Sequence, residues 1–549
     1  MSENDVLKSL WNDEVDFSKW ALDMLGGKYG EQEGFDPEVA LTRIPRTDIV
    51  ASRLIKKKIG SRLSYVAASK TWYVWDGRIH APVDSDVIAK NVVYKLFDSI
   101  VEALDNVDYH YETIAKRYYG SDDKSDKKRL KEIEAKWAKV KDFKKYRDNI
   151  GDNRGASSLV KAMETVFHRN ADYFDNDQNY LVVRNGVFLT NKFNDQGWPE
   201  LVNHSPDLPV SKYIDANWDP SCYNTFNDSK FHAFLHSSVD GGDQEIIYYL
   251  QQCVASAFLG RKKLRTIPNL IGPPSSGKSL FVETIFGLGN KGAGYCAMPD
   301  AIAITRQQQN WEQSKFRGKR FIAISEPDSK KEVDDEFLKR FTGDIWVQTR
   351  NLREKSQGWV PQGMLFIASN NNLRINTRDQ AIVDRVKIIN FPYTFTPNPD
   401  PNNPMQKQIN TTLTDELQEE SERSHILFWI VDGIRKFHNG GETLITPQTV
   451  LKESEKVVTE GSAATRWVAD QLSEGNLAET TSDEIYHNIK LSEAWSDFSL
   501  WNSLNNEHSR LSKSFFESDI GQWYDIVSHG PDKYIVGLRR VNAIQKVAL

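Results

Sequence analysis

The chain has 549 residues, 39% of them hydrophobic and 27% charged, with a formal net charge of -6. That length suits about three or four domains, the composition excludes wholesale disorder, and the acidic balance leaves nucleic-acid binding to local basic patches. Three scattered cysteines, Cys222, Cys253 and Cys296, with no CxxC pair, exclude a zinc ribbon or a disulfide framework.

No run of about 18 apolar residues predicts a membrane span. The acidic start MSENDVLKSLWNDEVDF has no basic segment leading into an apolar one, so it does not read as a secretory signal. A reducing, cytoplasmic compartment is the expectation.

In chain order, Thr71-Trp72-Tyr73-Val74-Trp75 followed by Asp76-Gly77 predicts a strand and hairpin. Val87 to Leu104 has the spacing of an amphipathic helix. Residues 124–148 hold eleven Lys or Arg against five Asp or Glu. They read either as a solvated helix with i,i+4 pairs or as a phosphate-contacting face. Tyr180 to Leu189 predicts a hairpin turning at Asn185-Gly186. Residues 225–260 read as helical, with Gly260 as the stop.

Pro268-Asn269-Leu270-Ile271 predicts a short buried strand running into Gly272-Pro273-Pro274-Ser275-Ser276-Gly277-Lys278-Ser279, which matches G-x-x-x-x-G-K-[ST]. Leu280 to Ile285 continues as a helix. The two glycines let backbone N–H groups turn toward phosphates, and the helix N-terminus adds positive potential. Lys278 is then expected at the β- and γ-phosphates of ATP, and Ser279 on Mg2+.

Phe321-Ile322-Ala323-Ile324-Ser325 predicts a second buried strand, ending at Glu326, 48 residues after Lys278. This acid is expected on the strand adjacent to the loop, holding Mg2+ through water and polarising the attacking water. Asp328 is a second candidate for the ion. A third strand, Met364 to Ser369, ends at Asn370, either a water-orienting amide or a turn residue of the Asn370-Asn371-Asn372 run. Between these strands, apolar arms at Trp346-Val347 and Trp359-Val360 flank a basic tip carrying Arg353 and Lys355. That pattern suggests a hairpin able to reach a nucleic-acid backbone. Arg385 reads either as a group reaching a neighbouring subunit's nucleotide or as a partner of Asp379 or Asp384. The Pro/Asn segment 397–404 reads as a linker. Helices follow over about 412–475, then short strands, clearest at Tyr534-Ile535-Val536-Gly537-Leu538.

The ordered set GPPSSGKS, FIAISE, LKRFTGDIWVQTRNLREK, LFIASNN and DQAIVDRV resembles superfamily 3 helicases, above all the helicase part of poxvirus and satellite-phage or plasmid primase-helicases. The resemblance implies an α/β AAA+ core with a parallel-type sheet flanked by helices, a mainly helical N-terminal domain and a winged-helix-like C-terminal domain. It implies domains at 1–200, 201–400, 401–475 and 476–549. It further implies a hexameric ring moving on single-stranded DNA, ATP and Mg2+ as cofactors, and a primase or polymerase as replication partner. Under it, Lys278 and Ser279 serve the triphosphate and metal, Glu326 is the catalytic acid, Asn370 the γ-phosphate sensor and Arg385 an arginine finger, and Arg353 and Lys355 track the strand. Asp384 stands where many relatives carry a second arginine. Asp84-Ser85-Asp86, in a Pro-containing loop, is a poor match to a primase carboxylate pair, so a helicase without its own primase is expected. A non-translocating loader or switch ATPase, and a primase-helicase with a divergent N-terminal centre, are the competing readings.

Overall fold

Alternation in Thr71-Trp72-Tyr73-Val74-Trp75 does set a strand, and the polar Asp76-Gly77 step ends it. The computed structural model describes residues 47–541 apart from 84–85, 152, 240–241, 261–263, 293, 306–309, 328–332, 344–345, 350–356, 371–372, 374–379, 462, 482–483, 505–511 and 522–523. Two units emerge, one from 1–189, 201–214 and 291–294, the other from 190–200, 215–290 and 295–549.

In the first unit, helix α1 (Asp48–Ile59) leads into strands β1 (Leu63–Val66), β2 (Thr71–Trp75) and β3 (His80–Val83). At the predicted hairpin, Asp76 Oδ1 accepts from the amides of Arg78 and Ile79, both at 2.8 Å. Helix α2 runs over Val87–Lys116, further than its sequence spacing suggested, and packs against α3 (Lys124–Gly151). Helix α4 (Asn153–Val166) and the short β4 (His168–Arg169) complete the layer. One core joins them, with Trp72, Phe97, Val140, Phe143, Met163 and Phe167 buried together. A second hairpin, β5 (Tyr180–Val183) and β6 (Gly186–Phe193), pairs Val183 with Gly186. Its turn is therefore Arg184-Asn185, one residue earlier than expected.

The second unit is built on α5 (Gln244–Leu259), β7 (Ile267–Ile271), α6 (Lys278–Gly289), β8 (Cys296–Ala297), β9 (Phe321–Ser325), α7 (Asp335–Thr342) and β10 (Val347–Thr349). After these come β11 (Gln357–Trp359), β12 (Met364–Ser369), α8 (Gln380–Val383) and β13 (Val386–Asn390). Helix α5 ends where Gly260 adopts the left-handed conformation at φ 66°, as its position predicts. Five strands form a parallel sheet in the order β8-β9-β12-β7-β13. Their near-continuous apolar runs suit a sheet covered on both faces; all six residues of β12 are buried.

Helix α9 (Glu420–Asn439) packs on α5. Farther along lie α10 (Gln448–Gly461), α11 (Ala463–Ser473), α12 (Leu491–Leu504) and α13 (Lys513–Ile520), with the strand pair β14 (Ile526–His529) and β15 (Asp532–Ile535). A separate core around Trp467, Phe498 and Phe516 holds the last segment. The Pro/Asn segment is not an open linker. Thr394–Thr396 and Gln406–Gln408 pair in parallel on either side of it, closing it into a loop.

Candidate phosphate-binding site

The loop 272–279 leaves the C-terminal end of β7 and enters α6 at Lys278. Each glycine has a steric reason. A Cβ on Gly272 would lie 2.0 Å from the Phe391 carbonyl oxygen. Gly277 sits at φ 94°, with Phe234 and Ser238 against it. Ser275 also has positive φ, 59°, a conformation that costs energy in a non-glycine residue and recurs at functional sites.

Lys278 is buried, and its ammonium donates to the carbonyls of Gly272 at 2.8 Å and Pro273 at 2.9 Å and to Ser276 Oγ at 2.8 Å. Burial pushes its pKa down to about 8, while the nearby Glu326 carboxylate opposes the shift. Ser279 is exposed in the first turn of α6.

Glu326 follows β9 directly, exposed, at φ 49°, with its amide donating to the Ala368 carbonyl at 2.7 Å. The sequence expectation that its strand adjoins the loop's strand is corrected: β12 lies between β9 and β7. Glu326 still acts electrostatically on Lys278, because parallel strands present their C-terminal ends along one edge of the sheet. A cleft of about 310 Å³ opens at Glu326, lined also by Asp300, Thr305 and Ser325.

Asn370 is exposed immediately after β12, on that same edge. Arg385 is turned inward. It is buried, its Nε donates to Thr342 Oγ1 at 2.9 Å and its Nη1 to the Ala381 carbonyl. The arms β10 and β11 pair antiparallel, as the apolar flanks predict. Arg353 and Lys355 at the tip, Asp328, and Asp84 and Ser85 lie outside the described residues.

Sequence reasoning missed Asp300 and the segment after β13. The Phe395 amide donates to the Ser275 carbonyl at 2.9 Å, so residues read as a departing linker brace the loop. Nothing in their spacing signals this long-range contact. Among the described residues no group of three or more His, Cys, Asp or Glu could hold a metal ion. The exposed oxygens of Ser279 and Glu326 fit a hard cation held largely by phosphate and water. Among the described residues no helix is long and apolar enough to cross a membrane.

This is a mixed α/β protein with a glycine-bounded loop at the C-terminal edge of a parallel sheet. Residues 52–239 match the family described as D5 N terminal like. The chain is 22% identical over 382 residues to the putative primase C962R of African swine fever virus (strain Badajoz 1971 Vero-adapted), covering 67% of this chain and 38% of that protein. It is 23% identical over 407 residues to the putative helicase L207/L206 of Acanthamoeba polyphaga mimivirus, covering 70% and 38%. The chain thus spans 38% of the length of these relatives. The apo structure of the NrS-1 C terminal region (305-718) aligns over 62% of this chain and 87% of that one, at TM-score 0.33 and 11% identity. The matches to the viral proteins bear out the resemblance carried by the ordered motifs.

Proposed function

We propose that the chain is an ATP-driven DNA helicase of a virus, phage or plasmid-type replication system, with an AAA+ motor at its centre. The observation that carries this is one edge of the parallel sheet, which gathers the loop 272–279, Glu326 and Asn370. Lys278 and the loop amides bind the β- and γ-phosphates of ATP. Ser279 and Glu326 hold Mg2+, which when bound neutralises charge shared by those phosphates. Glu326 orients and deprotonates the attacking water, and Asn370 fixes its position.

Single-stranded DNA is the track, with Arg353 and Lys355 on the hairpin joining β10 to β11. The motor assembles as a homo-hexamer and works beside a primase or polymerase. The last segment, with α12, α13 and the β14–β15 pair, serves as a winged-helix-like domain. The arginine that completes a neighbour's site is not assigned to Arg385.

ATPase assays with and without single-stranded DNA, together with native mass in ATP, test the proposal. Glu326→Gln should retain ATP binding and lose turnover by at least about a hundredfold, the scale of losing a general base. Normal hydrolysis by Glu326→Gln, or an absence of DNA stimulation in the parent protein, would refute it.

A further inference from the structure

Helix α3 carries two populations of basic residues. Lys144 pairs with Asp105 at 2.9 Å and Asp108 at 2.6 Å, and Arg147 pairs with Asp98. These fasten α3 to α2. At 3.6 residues per turn, Lys124, Lys127, Lys128, Lys131, Lys139 and Lys145 fall in one sector about 120° wide, on the far side of the helix from the buried Val140. All six lysines are exposed.

Among the described residues only Lys127 of the six has an ion-pair partner, Asp122. Asp142 is the one acid inside that sector, with Glu132 and Glu134 just beyond its two edges. Like charges at i,i+3 and i,i+4, as at 124/128, 127/131 and 128/131, weaken a helix. The sector is therefore a poor device for folding and a good one for a polyanion. At 1.5 Å per residue it extends roughly 32 Å.

Aromatic surface lies at the same hairpin. Tyr109 is 72% exposed and Tyr119, in the turn between α2 and α3, is 52% exposed. Both lie within electrostatic reach of the exposed Lys116. Between the helices a cleft of about 220 Å³ is lined by His110, Tyr118, Arg129 and Lys136. A basic track and exposed aromatic rings on one hairpin are the elements with which proteins hold unpaired strands, since rings stack on bases and cations follow the backbone.

We infer that the outer face of the α2–α3 hairpin is a binding surface for single-stranded nucleic acid, with the lysine sector on phosphates and Tyr109 and Tyr119 on bases. The surface is built wholly from residues of the first unit and does not depend on the motor reading. A duplex would engage the lysines without the tyrosines, so the aromatic pair decides between the two.

The test uses the full chain without nucleotide and a fluorescent oligo-dT of about 20 nucleotides, long enough for a site of this class. Lys128→Gln/Lys131→Gln/Lys139→Gln should lower the slope of log affinity against log salt by about 2, at about 0.7 per lost contact. Tyr109→Ala/Tyr119→Ala should weaken the oligonucleotide by about thirtyfold or more, at two lost stacks, and leave a blunt duplex unaffected. In the parent protein, photo-cross-links from 5-iododeoxyuridine should fall within residues 100–150, a readout independent of variant folding. An unchanged salt slope, equal loss for duplex and single strand in the tyrosine variant, or cross-links only outside that interval would each overturn the inference.

Discussion

Replacing Gly272 with alanine isolates the steric demand of the phosphate loop. The new Cβ would meet the Phe391 carbonyl oxygen at 2.0 Å, its carbon at 2.9 Å and Ser276 Oγ at 3.2 Å. The main obstacle is backbone, and the Phe391 amide is itself tied to the Ile271 carbonyl at 2.7 Å. Relief therefore needs a displacement of about 1 Å between β7 and β13, with that hydrogen bond broken or stretched. Overpacking of this kind costs about 1–3 kcal/mol, and the weakened backbone bond adds about 1 kcal/mol. A loop displaced by about 1 Å would also lose catalysis on the order of a hundredfold. Gly287→Ala is the control within α6, where the added Cβ meets only the flexible Gln418 side chain at 3.7 and 4.0 Å. It should stabilise by about 0.5–1 kcal/mol through helix propensity. Thermal unfolding and fluorescent-ATP binding measure both. If Gly272→Ala melts and binds ATP like the parent, or if the two variants shift in the same direction, the steric account is wrong.

Other tests follow from the titrating groups and from the inward arginine. With Lys278 held near 8 when folded against 10.5 as its ordinary value, the unfolded chain binds more protons in between, so its contribution to stability rises with pH over that window. ATP affinity should move the other way, falling about tenfold per pH unit above 8 as the ammonium is lost, and a flat profile from pH 7 to 9.5 contradicts this. His80 is buried, with Nε2 on the Pro206 carbonyl at 3.0 Å and no partner for Nδ1, and burial lowers its pKa to about 4. The unfolded chain takes that proton first, so about 3 kcal/mol of stability should be lost as pH falls from 6.5 to 4. Denaturant midpoints that do not move between pH 7 and 4.5, or that move equally in His80→Gln, would count against it. Arg385→Ala should destabilise by about 2–3 kcal/mol, because it removes charged donors from Thr342 and the Ala381 carbonyl; an unchanged melting temperature with hydrolysis abolished would instead restore the finger role.

Much of the site was legible because its signals are local. A buried apolar run, a glycine-bounded turn and a helix occupy consecutive residues, so Ile267–Gly289 could be read without knowing anything distant. The same holds for Gly260 as a helix stop and for the Asp76-Gly77 hairpin. The order of parallel strands is a different kind of information. Each crossover can land on either side of a neighbour, and the apolar pattern of a strand buried on both faces does not say which. That is why Glu326 was expected one strand too close to the loop. The inward setting of Arg385 was hidden for a related reason: its neighbours in sequence suggest a surface, and only the packing of α7 and α8 buries it.

The loop's shape comes from three places in the chain, and this bears on what its motif alone can guarantee. Phe391 closes on Gly272, Phe234 and Ser238 close on Gly277, and the Phe395 amide fixes the Ser275 carbonyl. None of these residues belongs to the motif. The motif supplies the small side chains that make such approaches possible, and segments up to about 120 residues away supply the surfaces that use them. Because Phe391 and Phe395 lie on the path from β13 toward α9, any movement of that segment is transmitted to the Ser275 carbonyl through one 2.9 Å hydrogen bond. The connection leaving the sheet is thus mechanically part of the phosphate site.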